Sequence, residues 1–247
     1  MDLTGKIILI TGASSGIGRT TAIHLSKLGA RIILISRSED KLRETINCME
    51  GEKHSIYPFD LKEIDQIEEL INKIVNQQGK LNGLVHCAGV ADMRPLQMTK
   101  YSFIHDMMLI NFYSFIELSR VIAKKDNHAE IASFVAISSV RSKRGEKSII
   151  AYCASKGALD SAIRAMAKEL STKNIRVNSV VPGFINTSIV NSYVESTGKE
   201  EFKNVLTSQY LGLGDTSDVA NAIAFLLSDA SKFITGTGLI VDGGYLS

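Results

Sequence analysis

Residues 6–18 read Lys-Ile-Ile-Leu-Ile-Thr-Gly-Ala-Ser-Ser-Gly-Ile-Gly. A short apolar run enters a turn with three glycines, and the amphipathic stretch Gly16–Leu28 comes next. An apolar run without alternation reads as a strand buried on both faces, the condition of strands in parallel sheets. The glycines let the backbone turn tightly and pass close to a ligand. The helix after the turn offers free N–H groups and a positive dipole end to a pyrophosphate. A plain glycine turn is the competing reading. The place of the turn, between the first strand and the first helix, favours a dinucleotide held by Gly12, Ser14, Ser15, Gly16, Ile17 and Gly18. The spacing G-x-x-x-G-x-G is one residue longer than the common fingerprint.

Outward from this turn the pattern repeats. Apolar runs at 31–35, 83–87, 133–138, 176–181 and 238–242 predict further buried strands, with a weaker one at His54–Phe59. Between them lie predicted helices at Ser38–Met49, Lys62–Gln77, Thr99–Lys124, Ile150–Ser171 and Thr216–Leu227. Regular alternation of strand and helix implies right-handed crossovers and a doubly wound α/β sheet in one domain spanning 1–247. Phe184–Gly214 breaks the alternation just after a strand, as substrate lids do.

The second strand ends Ser36-Arg37-Ser38, where NAD-type sites carry an acidic residue for the ribose 2′-hydroxyl. Two serines and a guanidinium suit a 2′-phosphate instead, which selects NADP(H) over NAD(H). The alternative is a solvated arginine beside a helix cap. Asp60, followed by Leu61, suits an adenine amine and equally suits a helix cap.

Tyr152 and Lys156 are four residues apart in a predicted helix, so both side chains leave one face. An ammonium beside a phenol favours the phenolate, and the pair can then exchange a proton with an oxygen near neutral pH. The Ser139 hydroxyl is placed to bond the same oxygen. Such a pair on its own is more often a surface feature of a helix.

Composition narrows the function classes. A net charge of +2 gives no electrostatic case for nucleic acid or an anionic membrane. The 3 cysteines, Cys48, Cys87 and Cys153, are odd in number without metal-type spacing, which suits reduced thiols in a cytoplasmic chain. The histidines are scattered, so no metal site is expected. The N-terminal apolar run is too short for a signal or spanning segment.

Thr11–Gly18, Asn111, Ser139, Tyr152-Cys153-Ala154-Ser155-Lys156, Arg176-Val177-Asn178, Pro182-Gly183 with Thr187, and Asp242-Gly243-Gly244 together resemble the short-chain dehydrogenase/reductase family along essentially the whole chain. The nearest flavour is the 3-oxoacyl-[acyl-carrier-protein] reductase-like group. The resemblance implies a Rossmann-type domain with a seven-stranded parallel sheet and helices on both faces. It also implies hydride transfer between a nicotinamide cofactor and a carbonyl or secondary alcohol, and a homotetramer or homodimer. Tyr152 becomes the general acid or base. Lys156 lowers the pKa of that phenol and holds the nicotinamide ribose, Ser139 polarises the substrate oxygen, and Asn111 supports a water chain to Lys156. Cys87, Ala88 and Gly89 border the cofactor, while Pro182, Gly183, Ile185 and Thr187 fix its carboxamide end. An NAD-linked sugar, polyol or hydroxysteroid dehydrogenase is the alternative enzyme, and a non-catalytic dinucleotide sensor a more distant one.

The chain departs from the family in places. His86-Cys87 stands where Asn-Asn is usual, and reads as a buried structural replacement. Of two basic positions that bind an acidic carrier protein in the group, one is Glu130 here and the other Lys173. Arg141, Lys143, Arg144 and Lys147, with Glu146 among them, form a basic stretch that reads as a solvated loop or as the partner of an anionic substrate. Phe103, Met107, Met108, Phe112 and Phe115 lie on one long apolar helix, as core or subunit interface.

Overall fold

A computed structural model describes residues 1–247. Seven strands, β1 (Ile7–Thr11), β2 (Arg31–Ser36), β3 (Ser55–Pro58), β4 (Leu81–His86), β5 (His128–Ile137), β6 (Ile175–Pro182) and β7 (Gly238–Val241), form one sheet. Its order is β3-β2-β1-β4-β5-β6-β7 and every pairing is parallel. The chain runs outward from β1 to β3, then crosses back to pair β4 with the other side of β1. That reversal opens a crevice at the carboxyl ends of β1 and β4, where ligands bind in sheets of this kind.

Alternation along each strand supplies two cores. Leu9, Ile33, Leu84, Phe134 and Val177 face one side. They pack against α3 (Ile67–Gln78), α5 (Ser114–Ile122) and α6 (Ile150–Leu170) through Ile71, Phe115, Leu118 and Ile163. Ile8, Ile10, Ile32, Leu34, Val85, Val135 and Val180 face the other side, against α1 (Gly16–Lys27) and α9 (Thr216–Leu227) through Ala22, Leu25, Val219 and Ile223. Burial on both faces is why these runs carry branched aliphatic residues at consecutive positions. α2 (Glu39–Ile46) closes the second side through Leu42.

The predicted segment 184–214 holds two helices, α7 (Ser188–Thr197) and α8 (Lys199–Leu206). A third, smaller core of Val140, Val181, Phe184, Val190 and Tyr245 joins them to the sheet, with Tyr193 and Phe202 packed on it. No helix of the chain is long and apolar enough to cross a membrane.

The expected single helix 99–124 is a correction. It is α4 (Tyr101–Met108), a π-helical turn (Leu109–Tyr113) and then α5. Asn111 sits inside that turn and is fully buried. An extra residue in a helical turn re-aims the side chains there, and hydropathy periodicity does not register it. The helix predicted from Lys62 likewise starts later. Ile64–Gln66 forms a short 3-10 turn before α3. Of the apolar group expected on the long helix, Phe115 and Met107 are core.

Candidate active site

The turn after β1 is built by close packing of backbone. Gly12 has φ +66° and a Cβ there would lie 2.7 Å from the Ala88 nitrogen. A Cβ on Gly18 would collide with the Gly12 carbonyl, whose carbon lies 2.8 Å away. Gly16 also has positive φ, +50°, and opens the way into α1. No side chain caps the N-terminus of α1, so its first N–H groups are left for a ligand.

Opposite the turn stand His86 and Cys87. The Ile110 carbonyl can only accept, so His86 Nε2–H donates to it at 3.1 Å. His86 Nδ1 then accepts from the Thr11 hydroxyl at 2.9 Å, and that hydroxyl accepts the Ala88 N–H at 3.3 Å. One imidazole thus ties β1, the loop after β4 and the π-turn. Burial lowers its pKa to about 3, with the Lys156 charge adding to the effect, so it is neutral. The Cys87 thiol is pushed up to about 12, chiefly by burial, and stays protonated. His86 is buried as the structural reading of the sequence expects, whereas Cys87 is only part-buried and its protonated thiol lines the cleft.

The neutral histidine has a thermodynamic consequence. Below pH 6.5 the unfolded chain protonates this residue while the folded chain does not until about pH 3. The stability His86 contributes is full above the unfolded value and is lost as pH falls, by up to about 1.4 kcal/mol per pH unit. His86→Asn should remove that part of the acid slope in urea denaturation. Equal slopes in the two proteins would contradict the assignment.

Asn111 is saturated. It accepts the Val90 N–H at 2.8 Å and donates to the Val90 carbonyl at 2.9 Å and to Ser155 Oγ at 3.0 Å. It pins the segment after β4 to α6 and lies below the cleft wall, not in it. A Cβ on Gly89 would lie 3.4 Å from Asn111 Oδ1 and 3.5 Å from Lys156 Nζ, so this glycine stands directly over both.

Lys156 is buried and donates to the Ile137 carbonyl at 2.8 Å. Burial lowers its pKa to about 8, with Asp160 and Cys87 opposing that shift. Its nitrogen is 5.7 Å from the centre of the Tyr152 ring. The ammonium and the phenol share a helix face as predicted, but the ammonium is bonded to a main-chain carbonyl rather than to the phenol. Burial raises the Tyr152 pKa, while the Ser139 hydroxyl and the Arg141 charge pull it back. Ser139 Oγ accepts the Arg141 N–H at 3.1 Å.

These groups border one cleft of about 740 Å³. Every residue expected at the nucleotide lines it: Gly12 with Ser14 to Gly18, Ser36 to Ser38, Asp60 and Leu61, Cys87 to Gly89, and Pro182, Gly183, Ile185 and Thr187. Ser139, Tyr152 and Lys156 line it too. Asp60 also accepts the Lys62 N–H at 3.0 Å, but this closes a turn rather than capping a helix, because the 3-10 turn begins only at Ile64 and α3 at Ile67. A dinucleotide fits this shape. The glycine turn would hold the pyrophosphate, Arg37 would reach the ribose substituent, and Pro182–Thr187 would flank the far end.

The sequence reading missed three residues. Lys41, one turn into α2, lines the cleft beside Arg37 and is a second cation there. Its only sequence signal is its distance from Arg37. Asp160 is buried one turn beyond Lys156 and accepts from Ser142 Oγ at 2.6 Å and Ser179 Oγ at 3.0 Å. A carboxylate four residues after Lys156, on the same helix face, was the available clue. Arg141 corrects the solvated-loop reading. It is 7% exposed, whereas Lys143, Arg144 and Lys147 are exposed as that reading requires.

Comparison with known proteins places this geometry. A family model described as enoyl-(acyl carrier protein) reductase matches residues 12–246. The 3-oxoacyl-[acyl-carrier-protein] reductase of Haemophilus influenzae is 35% identical, over 99% of this chain and 100% of its own. L-xylulose reductase of Caenorhabditis elegans is 33% identical, over 99% and 97%. A short-chain type dehydrogenase/reductase from Mycobacterium ulcerans superposes with a TM-score of 0.91 at 30% identity, covering 100% of this chain and 91% of its own. A 7α-hydroxysteroid dehydrogenase solved with NADH and 7-oxoglycochenodeoxycholic acid gives 0.92 at 28% identity, covering 98% and 95%. With relatives matching it from end to end and the glycine turn and Tyr152–Lys156 pair on one cleft, the chain belongs to the short-chain dehydrogenase/reductase family of oxidoreductases.

Proposed function

We propose that the protein is an NADP(H)-dependent reductase of carbonyl compounds, or dehydrogenase of the matching secondary alcohols. Tyr152 is its general acid or base. The observation that carries this is the meeting in one cleft of the Gly12–Gly18 turn, the Ser36-Arg37-Ser38 and Lys41 group, and Ser139, Tyr152 and Lys156. A bound nicotinamide supplies or accepts the hydride. The remaining work falls to side chains. Ser139 orients the substrate oxygen. Tyr152 gives that oxygen a proton in reduction and takes it in oxidation. Lys156, held by the Ile137 carbonyl, holds the nicotinamide ribose and keeps positive charge under the reacting groups. Asn111 fixes the Val90 segment and α6 against each other, so the distances hold.

The reading of the substrate is a 3-oxoacyl thioester or a ketone of similar size. Glu130 is exposed where a carrier-binding cation would be needed, which favours a substrate free of an acidic carrier. Similarity to L-xylulose reductase and to the glucose 1-dehydrogenase of Gluconobacter oxydans supports a sugar or polyol as the second reading. The three free cysteines suit a cytoplasmic setting. Exposed Leu96, Met98 and Tyr101 at the start of α4, with Phe233 and Ile240 near β7, offer two apolar faces for a homotetramer.

The test is nucleotide oxidation with 3-oxoacyl thioesters, keto-sugars, diketones, quinones and ketosteroids, using NADPH and NADH in parallel. NADPH is expected to be preferred, and the ranking of carbonyls names the substrate class. Arg37→Asp with Lys41→Ala should cost about 100-fold in kcat/KM for NADPH and little for NADH, because charge-assisted bonds to the 2′-phosphate are lost. Equal loss with both nucleotides would overturn the NADP assignment.

A further inference from the structure

Helix α6 carries Tyr152, Lys156 and Asp160 at intervals of four, so the three side chains leave one face a turn apart. The first two line the cleft, while the third is buried and does not. A buried carboxylate is costly unless its oxygens are met. Here two hydroxyls meet them. Ser142 Oγ, from the turn after β5, donates to Asp160 Oδ2 at 2.6 Å, and Ser179 Oγ, from β6, donates to Oδ1 at 3.0 Å. The Lys156 ammonium, four residues earlier, is bonded to the Ile137 carbonyl instead.

The Ser142 bond leads directly to the reacting groups. Ser142 Oγ also lies 2.8 Å from the Ser139 carbonyl oxygen, and the Ser142 N–H donates to that oxygen at 2.9 Å. The single Ser142 hydroxyl proton is thereby shared between the carboxylate and the carbonyl. Ser139 caps this 3-10 turn (Val140–Ser142), and its own hydroxyl oxygen accepts the Arg141 N–H at 3.1 Å. The Ser139 O–H is left free to donate into the cleft. The turn that aims Ser139 is thus tied to the helix that aims Tyr152 by one short, charge-assisted bond. Because β6 holds the carboxylate through Ser179, the tie ends on a fixed post and not on a mobile surface group.

We propose that Asp160 is a positioning residue of the reaction: through Ser142 it clamps the Ser139 turn to α6, and so sets the separation between the hydroxyl that orients the substrate oxygen and the phenol that exchanges a proton with it. The inference rests on Ser139 and Tyr152 being the groups that meet that oxygen. Two competing roles exist for this carboxylate. One is packing between α6 and β6 alone. The other is a charge acting on Lys156, which it faces. The clamp differs from both. It works only through Ser142 and Ser139, and it needs hydrogen bonds rather than a net charge.

The experiment is a double-mutant cycle on the full-length protein, read as kcat and KM for the best carbonyl of the panel, with NADPH affinity measured separately. Ser142→Ala should lower kcat about 10-fold, because a small misplacement of reacting groups is costly, and NADPH affinity should stay within about twofold. The same substitution in a Ser139→Ala background should change kcat by less than about twofold, since the clamp then has nothing to aim. Asp160→Ala should match Ser142→Ala. Asp160→Asn, whose amide can bond both serines, should recover most of the loss. Losses that add in the Ser139→Ala background show packing alone and overturn the inference. An Asp160→Asn enzyme as poor as Asp160→Ala shows a role of charge and overturns it as well. Ser142 is half-buried and its variant loses one oxygen, so that arm decides the matter even if Asp160→Ala fails to fold. The two levels separate cleanly. A Ser139→Ala enzyme at full activity overturns the reading of Ser139 itself. An impaired Ser139→Ala enzyme beside an unimpaired Ser142→Ala enzyme overturns this inference alone.

Discussion

Tyr152→Phe is expected to lower kcat by about 1,000-fold, the usual contribution of a positioned acid or base, while nucleotide affinity changes little. The ring stays and only the hydroxyl leaves. Lys156 keeps its bond to the Ile137 carbonyl, Asn111 keeps Val90 and Ser155, and Ser139 keeps the Arg141 N–H. The cofactor cradle is therefore untouched, and the residual rate reports what positioning alone achieves. The pH profile adds a sign. In reduction the protonated phenol is the active form, so wild-type activity falls as pH rises through its pKa. In oxidation the phenolate is active and activity rises instead. Both limbs should vanish in the variant. A loss under tenfold, or a surviving limb, would show that another group moves the proton.

Gly18→Ala is expected to be strongly damaging to the nucleotide half. The new carbon would press on the Gly12 carbonyl, and Gly12 cannot retreat because its own Cβ direction is filled by Ala88. Three backbone segments are stacked here, so strain passes from α1 through the turn to the loop after β4. Overpacking of this kind costs about 1–3 kcal/mol, and displacement of the turn amides from the phosphates should weaken nucleotide binding roughly 30-fold. Nucleotide titration and thermal melting read the two effects. Gly145→Ala is the control, because nothing lies within 4 Å of the added carbon. Affinity within threefold of wild type for Gly18→Ala would show that the turn does not need this close approach.

These two outcomes fall where the sequence was most readable. The glycine turn is legible because only glycine permits both the positive φ at Gly12 and the contact at Gly18, so the constraint shows as residue identity. The strands are legible because burial on both faces demands unbroken apolar runs. That Tyr152 and Lys156 share a helix face is legible from spacing, but their role needed the surrounding motifs, and the direction in which each head group turns was not legible. Arg141 shows the limit. Read locally it is one of several cations in a polar loop. Its burial comes from Phe184 and Tyr245, which are distant in the chain. Lys41 was missed for the same reason, since its partner is the cleft and not its neighbours.

The π-turn at Leu109–Tyr113 sets the rotational phase of α5. One residue fewer in that turn would rotate α5 by about 100° against α4, given 3.6 residues per turn. Phe115, Leu118, Val121 and Ile122, now inside the core, would swing away from it, and Asn111 would leave Val90. Chain length in this segment is thus under the same constraint as residue identity. A deletion here would be punished twice, in the core and at the cleft, while substitution at exposed Tyr113 would be borne. Kinship across this turn is therefore better judged by whether gaps are absent between Met108 and Phe115 than by how many letters agree.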